Sequence, residues 1–137
     1  MMVRVDTVQD HRKRILEVQT FLIARAAKLV YEKIGPGFAE NVYREALQKE
    51  FDQKRILYKQ TCPAEGISGG APAELGFRPD FLCFGKLVLF TMAAEAITEM
   101  HCRQLRECLL KLKAPVGLVV NFGREMLSME RVLIGKG

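Results

Sequence analysis

Residues Leu87 to Ala94 read Leu-Val-Leu-Phe-Thr-Met-Ala-Ala and are apolar at every position except Thr91. A strand with almost no polar residues is typical of the centre of a sheet that is covered on both faces. Thr98 is a good N-cap for a helix running to about Lys113, and a second apolar strand is expected at residues 116–121. Strands joined by such a helical crossover are parallel neighbours. This stretch therefore predicts an α/β fold built around a mixed sheet.

The segments on either side add two helices and three further strands to this unit. Both helices have apolar residues at spacings of three and four, and Arg44 lies on the polar face of the second. Gly35 and Pro36 separate the two helices, and Gly85-Lys86 forms a turn before the central strand. The predicted helices cover residues 6–33 and 38–54, and the predicted strands cover residues 56–61, 77–84 and 129–134.

The length and composition indicate one globular domain over residues 1–137. A hydrophobic fraction of 49% supplies a core and, with 27% charged residues, excludes intrinsic disorder. Residues 1–14 are expected to form an N-terminal helical extension. Residues 62–76 are rich in glycine, proline and alanine, and they predict an irregular loop.

The sequence also predicts the cellular location of the protein. No N-terminal stretch has the pattern of a signal peptide, and the longest apolar run is far shorter than the ~20 residues of a membrane helix. No membrane association is therefore expected. The four cysteines form no C-x-x-C pair and only two histidines are present, which disfavours a zinc site. A reducing, cytoplasmic location is the expectation.

The net charge of +5 is distributed unevenly along the chain. Residues 1–35 carry a net charge of +3 and residues 101–137 carry +4, whereas residues 36–100 carry −2. If the two ends meet in space, they form a basic surface beside an acidic centre, which suits nucleic acid. The alternative is that these charges are solvated helix faces with no partner.

Two groups of residues have the chemistry of a catalytic site. The first is Gly37-x-x-Glu40-x-x-Tyr43, where Gly37 as N-cap places Glu40 at the third helical position. A glutamate there also offsets the helix dipole, and Tyr43 is equally explained as a core residue, so both interpretations stay open.

The second group is the predicted hairpin that begins at Asp80. A hairpin of this kind can carry a metal-dependent nuclease site, in which an Asp faces a Glu and a Lys two residues apart on the returning strand. The two carboxylates bind Mg²⁺, and the Lys helps to activate the attacking water. Here the returning strand has Phe90 and Met92 at those two positions, and neither side chain supplies the hard oxygen donor that Mg²⁺ needs.

The motifs together resemble the GxxExxY proteins, a group within the PD-(D/E)XK nuclease superfamily. The resemblance extends over roughly residues 15–134 and implies the restriction-endonuclease-like α-βββ-α-β core, a mixed sheet flanked by helices. The stretches that carry it are Gly35-Pro36-Gly37-Phe38-Ala39-Glu40-Asn41-Val42-Tyr43, Tyr58-Lys59-Gln60, Phe77-Arg78-Pro79-Asp80-Phe81-Leu82, Gly85-Lys86-Leu87-Val88-Leu89, Ala93-Ala94-Glu95, His101-Cys102-Arg103-Gln104-Leu105 and Gly117-Leu118-Val119-Val120-Asn121-Phe122.

The resemblance implies roles for several residues. Glu40 matches the helix carboxylate of such sites and Asp80 matches the PD aspartate. Gln104, with His101, matches the helix motif that lines the site. The sequence departs from the family pattern in three places: Phe90-Thr91-Met92 replaces Glu-x-Lys, Cys102 replaces the Glu after the helix His, and Tyr31 replaces a His before Gly-Pro-Gly. The candidate metal ligands are Glu40, Asp80 and Glu95, and the candidate nucleic-acid contacts are Arg78, Lys86, Arg103 and Arg106.

Three functions are compatible with this sequence. The first is a nuclease-like domain that no longer cleaves and binds DNA, RNA or a protein partner, with no cofactor. The second is an active Mg²⁺-dependent nuclease with relocated ligands, or at least weak Mg²⁺ binding at a repaired site. The third is a structural or protein-interaction module, such as a homodimer, without a role in nucleic acid. Relocated carboxylates would come from Glu40, Glu45 or Glu95, and a relocated ammonium from Lys59 or Lys86.

Overall fold

The computed structural model describes residues 8–60, 79–123 and 126–134. Three helices and five strands are present in these ranges. In chain order they are α1 (Val8–Ile34), α2 (Glu40–Lys54), β1 (Tyr58–Gln60), β2 (Phe81–Cys83), β3 (Leu87–Met92), α3 (Glu99–Leu112), β4 (Val116–Phe122) and β5 (Leu127–Leu133). The predicted 62–76 loop and the first seven residues of the predicted N-terminal extension lie outside the described residues.

The five strands form one mixed sheet in the order β1-β2-β3-β4-β5. β3 is the central strand, and it runs parallel to β4 with Leu89 opposite Leu118. The other neighbouring strands are antiparallel. The prediction of an α/β fold in which an apolar central strand is joined to a parallel neighbour by a helix is therefore confirmed.

Helices cover both faces of the sheet. α1 and α2 pack on one face, called here the α2 face, and α3 packs on the other, called the α3 face. Side chains alternate along β3, so every second residue belongs to the same face. Leu87 and Leu89 belong to the core of the α2 face, whereas Val88, Phe90 and Met92 belong to the core of the α3 face.

The close approach of α3 to the sheet depends on Gly117 of β4. A Cβ atom at this position would lie 2.8 Å from Cδ2 of Leu105, which is fully buried in α3. The absence of a side chain at Gly117 therefore allows Leu105 to pack directly on the strand.

Several element boundaries differ from the sequence predictions. α2 begins at Glu40 rather than at residue 38, because Gly37 has a φ of +98° and Ala39 is the N-cap. Glu40 is consequently the first helical residue and not the third. The described part of the predicted strand at 77–84 forms regular pairing only over β2, while β5 begins two residues before its predicted start. Thr98 is the N-cap of α3, as predicted.

No helix within the described residues combines the length and apolar character needed to cross a membrane.

Candidate functional site

The glycine-rich turn before α2 is anchored by Tyr43. The Tyr43 hydroxyl donates to the carbonyl oxygen of Gly35 at 2.6 Å and accepts from the backbone N–H of Phe38 at 3.3 Å. Its ring stacks on Phe122 of β4, with centroids 4.3 Å apart and the planes 4° from parallel. The Tyr of the Gly37-x-x-Glu40-x-x-Tyr43 motif is thus a buried residue that ties the turn to the sheet and fixes where α2, and with it Glu40, begins.

Asp80 is the centre of a buried polar cluster. It is only 6% exposed, and its Oδ2 accepts hydrogen bonds from the backbone N–H of Thr91 at 2.5 Å and from the Thr91 hydroxyl at 2.7 Å. Phe81 is already opposite Leu89, yet the Asp80 N–H also donates to the Leu89 carbonyl at 2.9 Å. Two residues therefore oppose one at this point, as in a β-bulge, and the carboxylate turns toward the α2 face.

Arg44 of α2 connects Asp80 to Glu40. Its Nη1 lies 3.5 Å from Oδ1 of Asp80 and 3.6 Å from Oε1 of Glu40, which is one helical turn earlier. One guanidinium therefore lies between two carboxylates that come from different elements. Glu40, Arg44, Asp80 and Thr91 are called here the arginine–carboxylate cluster.

The environment of Asp80 makes its carboxyl group easier to protonate. Burial raises the pKa of Asp80 from its ordinary value of 3.8 to about 6, and the neighbouring Glu40 charge adds to this rise. The two hydrogen bonds from Thr91 and the Arg44 charge act in the opposite direction and lower the pKa. Thr91 and Arg44 therefore compensate only part of the cost of removing the Asp80 carboxylate from water, and the group is still charged at neutral pH.

Phe90 and Met92, at the two positions where the resemblance implies the Glu and Lys of Glu-x-Lys, face away from this cluster. Both belong to the α3 face, and Met92 is only 3% exposed among apolar neighbours. The hairpin geometry expected from the sequence placed these two positions beside the Asp80 side chain. That expectation is wrong for this chain, because the irregular pairing at Asp80 turns its carboxylate to Thr91, the residue between them.

The two residues of the α3 motif lie on the α3 face as well. The Nδ1 atom of His101 accepts from the Thr98 N–H at 2.9 Å, and the His101 N–H donates to the Thr98 hydroxyl at 3.4 Å, so the pair forms a capping box. The His101 ring also lies near Phe90, with centroids 6.4 Å apart. Gln104 is a partly buried residue of the same helix. The sheet therefore separates His101 and Gln104 from the arginine–carboxylate cluster, and their predicted roles remain predictions.

The remaining predicted residues lie elsewhere. Glu95 is exposed after β3 and lines a cleft of about 600 Å³ with Asn121 and Glu130. Lys86 is exposed in the turn between β2 and β3. Exposed positions on α2 and β1 are occupied by Glu45 and Lys59. Arg78 lies outside the described residues.

Arg103 and Arg106 of α3 line a surface groove that also includes Arg131 of β5, a residue that the sequence patterns do not single out. The groove has a volume of about 380 Å³ and is called here the arginine groove. Nη1 of Arg106 donates to the Leu133 carbonyl at 3.3 Å. None of the three arginines forms an ion pair within the described ranges, although Glu99 and Glu130 also line the groove.

Sequence reasoning also missed Arg44 and Thr91, and both left a signal. Thr91 is the single polar residue in an apolar central strand, which predicts a buried partner for its hydroxyl. Arg44 follows Glu40 by four residues, the spacing of a helical ion pair. The contact between Arg44 and Asp80 depends on the packing of α2 against the sheet, which the sequence alone does not show.

Comparison with known families gives one clear match. The family model of the PD-(D/E)XK nuclease superfamily matches residues 17–132. Since this range includes most of the chain, the protein belongs to the PD-(D/E)XK nuclease superfamily, and its five-stranded mixed sheet flanked by helices is consistent with the restriction-endonuclease-like fold. No curated protein and no solved structure gives a significant match.

Nucleases of this superfamily are expected to use Mg²⁺, but the donors present here fit that ion poorly. Oδ2 of Asp80 accepts two hydrogen bonds from Thr91. Oδ1 of Asp80 and Oε1 of Glu40 both face the Arg44 guanidinium. Mg²⁺ requires an octahedral shell of oxygen donors, and an adjacent guanidinium repels it. Among the described residues, no group of three or more His, Cys, Asp or Glu side chains could hold a metal ion.

Proposed function

We propose that this chain is a GxxExxY-type member of the superfamily with a degenerate Glu-x-Lys element, and that it binds nucleic acid without cleaving it. We place it in the cytoplasm, where its thiols stay reduced. The free thiols of Cys83, Cys102 and Cys108 fit such a compartment.

The loss of cleavage is supported above all by the position of Met92. A nuclease of this type needs a lysine and a second carboxylate beside the aspartate, since both assist charge build-up on the transferred phosphate. Met92 is buried in apolar surroundings on the α3 face, whereas the Asp80 carboxylate is turned to the α2 face. Among the described residues, Glu40 and Arg44 lie near Asp80, and the Arg44 guanidinium pairs with both carboxylates instead of leaving them free.

Binding of nucleic acid is supported by the arginine groove. Three arginines line one depression together with Glu99 and Glu130, and none of the three arginines forms an ion pair within the described ranges. Arginine forks match the geometry of phosphate oxygens, so an extended polyanion is the ligand class that this surface fits. The net charge of +5 acts in the same direction by attracting polyanions to the whole chain.

A salt titration tests the binding proposal. Fluorescence anisotropy of labelled duplex DNA, single-stranded DNA and RNA is measured with the full-length chain in EDTA over a range of salt concentrations. We expect binding to at least one of these probes that weakens as salt rises. Arg103→Ala/Arg131→Ala should reduce affinity and, on duplex DNA, lower the slope of log K against log salt by about 2.

The matched control is Lys49→Ala/Arg55→Ala, which removes two exposed charges from α2 and its C-cap. This variant should retain most of the binding and a steeper slope than the groove variant. Equal losses in the two variants would mean that net charge, and not the groove, attracts the ligand. Absence of binding at low salt, together with a stable dimer in light scattering, would favour the protein-interaction module instead.

A further inference from the structure

The arginine–carboxylate cluster has the charge arrangement of a metal site with an arginine at its centre. Two carboxylates from separate elements, Glu40 on α2 and Asp80 before β2, converge on one cation. In a metal-dependent enzyme that cation would be a divalent ion. Here it is the Arg44 guanidinium, at 3.6 Å and 3.5 Å from the two carboxylate oxygens.

Arg44 is suited to this position by both chemistry and location. The buried Asp80 carboxylate needs a nearby positive charge, because Thr91 supplies only neutral donors to its Oδ2. A guanidinium is permanently charged and presents several donors in one plane, so a single group can face two carboxylates. Its side chain is about one-third exposed, which leaves the cluster open to ions from solvent.

We infer that the Arg44 guanidinium takes the place of the metal ion at Glu40 and Asp80, and that it keeps divalent cations out of a site that is otherwise able to bind one. Removal of Arg44 would release Oδ1 of Asp80 and Oε1 of Glu40 together. One or two carboxylates with bound water are the usual protein contribution to a Mg²⁺ or Mn²⁺ site. The inference rests on the proposed absence of metal-dependent cleavage, but it concerns binding and is tested without any activity measurement.

The test compares Mn²⁺ binding and thermal unfolding in four full-length proteins. They are the wild type, Arg44→Gln, Arg44→Gln/Glu40→Gln and the charge control Lys49→Gln, whose lysine is exposed on the same helix. The wild type and Lys49→Gln should show no saturable Mn²⁺ binding and no metal-dependent change in melting temperature. Arg44→Gln should bind one Mn²⁺. At about ten times its Kd the metal should raise the melting temperature by roughly 4 °C, and the added Glu40→Gln should abolish both effects.

Two results would overturn the inference. One is saturable Mn²⁺ binding by the wild type equal to that of Arg44→Gln, and the other is a folded Arg44→Gln that gains no binding. If Arg44→Gln is unfolded without metal, refolding by Mn²⁺ supports the inference and failure to refold overturns it. Cleavage of nucleic acid by the wild type would contradict the proposed function. If the wild type does not cleave and Arg44→Gln gains no metal site, only the inferred role of Arg44 is contradicted.

Discussion

The two faces of the sheet differ sharply around β3. On the α2 face, Thr91 meets a buried carboxylate that is linked to an arginine and a second carboxylate. On the α3 face, Met92 is buried in the apolar α3 core, and Phe90 is partly buried against that core near the His101 ring. A nuclease site needs its carboxylates and its lysine together on one side of the hairpin. In this chain Glu40, Arg44 and Asp80 lie together on the α2 face, whereas Phe90 and Met92, where the resemblance implies a Glu and a Lys, pack on the core of the α3 face.

This difference has a physical origin in one local irregularity. The Asp80 and Phe81 pairing opposite Leu89 interrupts the alternation that would direct the Asp80 side chain to the face of Phe90. Once Asp80 points to the α2 face, its charge must be compensated by groups on that face, because a buried charge without partners is costly. Thr91 and Arg44 supply that compensation.

The largest expected effect comes from placing a lysine at Met92 on the α3 face. Met92→Lys buries an ammonium among the apolar side chains of the α3 core, and we expect a loss of about 3–5 kcal/mol in the free energy of unfolding. Urea denaturation measures this loss, with Met92→Leu as the control expected to lose less than about 1.5 kcal/mol. A stable Met92→Lys protein would mean that this position still opens to a polar site.

The next effect concerns pH and the polar face. The pKa of Asp80 is about 6 in the folded chain, against an ordinary value of 3.8, so the folded state binds this proton more tightly than the unfolded state. Stability contributed by this group therefore falls as pH rises from about 4 to about 6 and is constant above that range. The pKa shift corresponds to about 3 kcal/mol.

The pH effect is isolated by comparison with Asp80→Asn, which cannot titrate at this position. The difference in unfolding free energy between wild type and Asp80→Asn, measured by urea denaturation at several pH values, should fall by about 3 kcal/mol from pH about 4 to pH about 7. A difference that stays constant, or that increases with pH, would show that Arg44 and Thr91 compensate the buried charge fully.

Packing on the α3 face is tested by Gly117→Ala. The new methyl group would meet Leu105, which is fully buried, and overpacking of this kind costs about 1–3 kcal/mol. Chemical denaturation of Gly117→Ala, Leu105→Val and the double variant should show a smaller loss in the double variant than the sum of the two single losses. Strict additivity would place the strain outside the contact between Gly117 and Leu105.

The smallest effect is expected for Thr91→Val. This variant keeps the shape of the side chain but removes one hydrogen bond to Oδ2 of Asp80, for an expected loss of about 1–2 kcal/mol at neutral pH. Thr91→Ser retains the hydroxyl and serves as the control. If Val and Ser variants unfold at the same denaturant concentration, the hydroxyl contributes nothing to holding Asp80.

The fold was more predictable from the sequence than the site. The apolar segment around Thr91, the N-cap Thr98 and the following apolar strand fix a parallel crossover by local patterns alone, and the structure confirms it. The predicted start of α2 is two residues too early, because Gly37 has a left-handed conformation in a turn whose backbone is hydrogen-bonded to the Tyr43 hydroxyl. Spacing alone cannot supply that contact.

The arrangement of the candidate site depends on contacts between residues that are distant in sequence. Periodicity predicted that Asp80 and Phe90 share a face, and the extra residue in the pairing at Asp80 reverses this. The periodicity of α2 predicts that Arg44 lies on the polar face of this helix, and its partly exposed side chain agrees with that prediction. Its approach to Asp80 arises from the packing of that helix against the sheet.

A cleavage assay is the most direct test of the proposal that this superfamily member does not cut nucleic acid. Labelled duplex DNA, single-stranded DNA and RNA are incubated with an excess of the full-length chain in Mg²⁺, in Mn²⁺ and in EDTA, with Asp80→Ala purified in parallel, and the products are separated on denaturing gels. We expect every substrate to stay as intact in Mg²⁺ or Mn²⁺ as in EDTA. Cleavage that requires a divalent ion and disappears in Asp80→Ala would contradict the proposal.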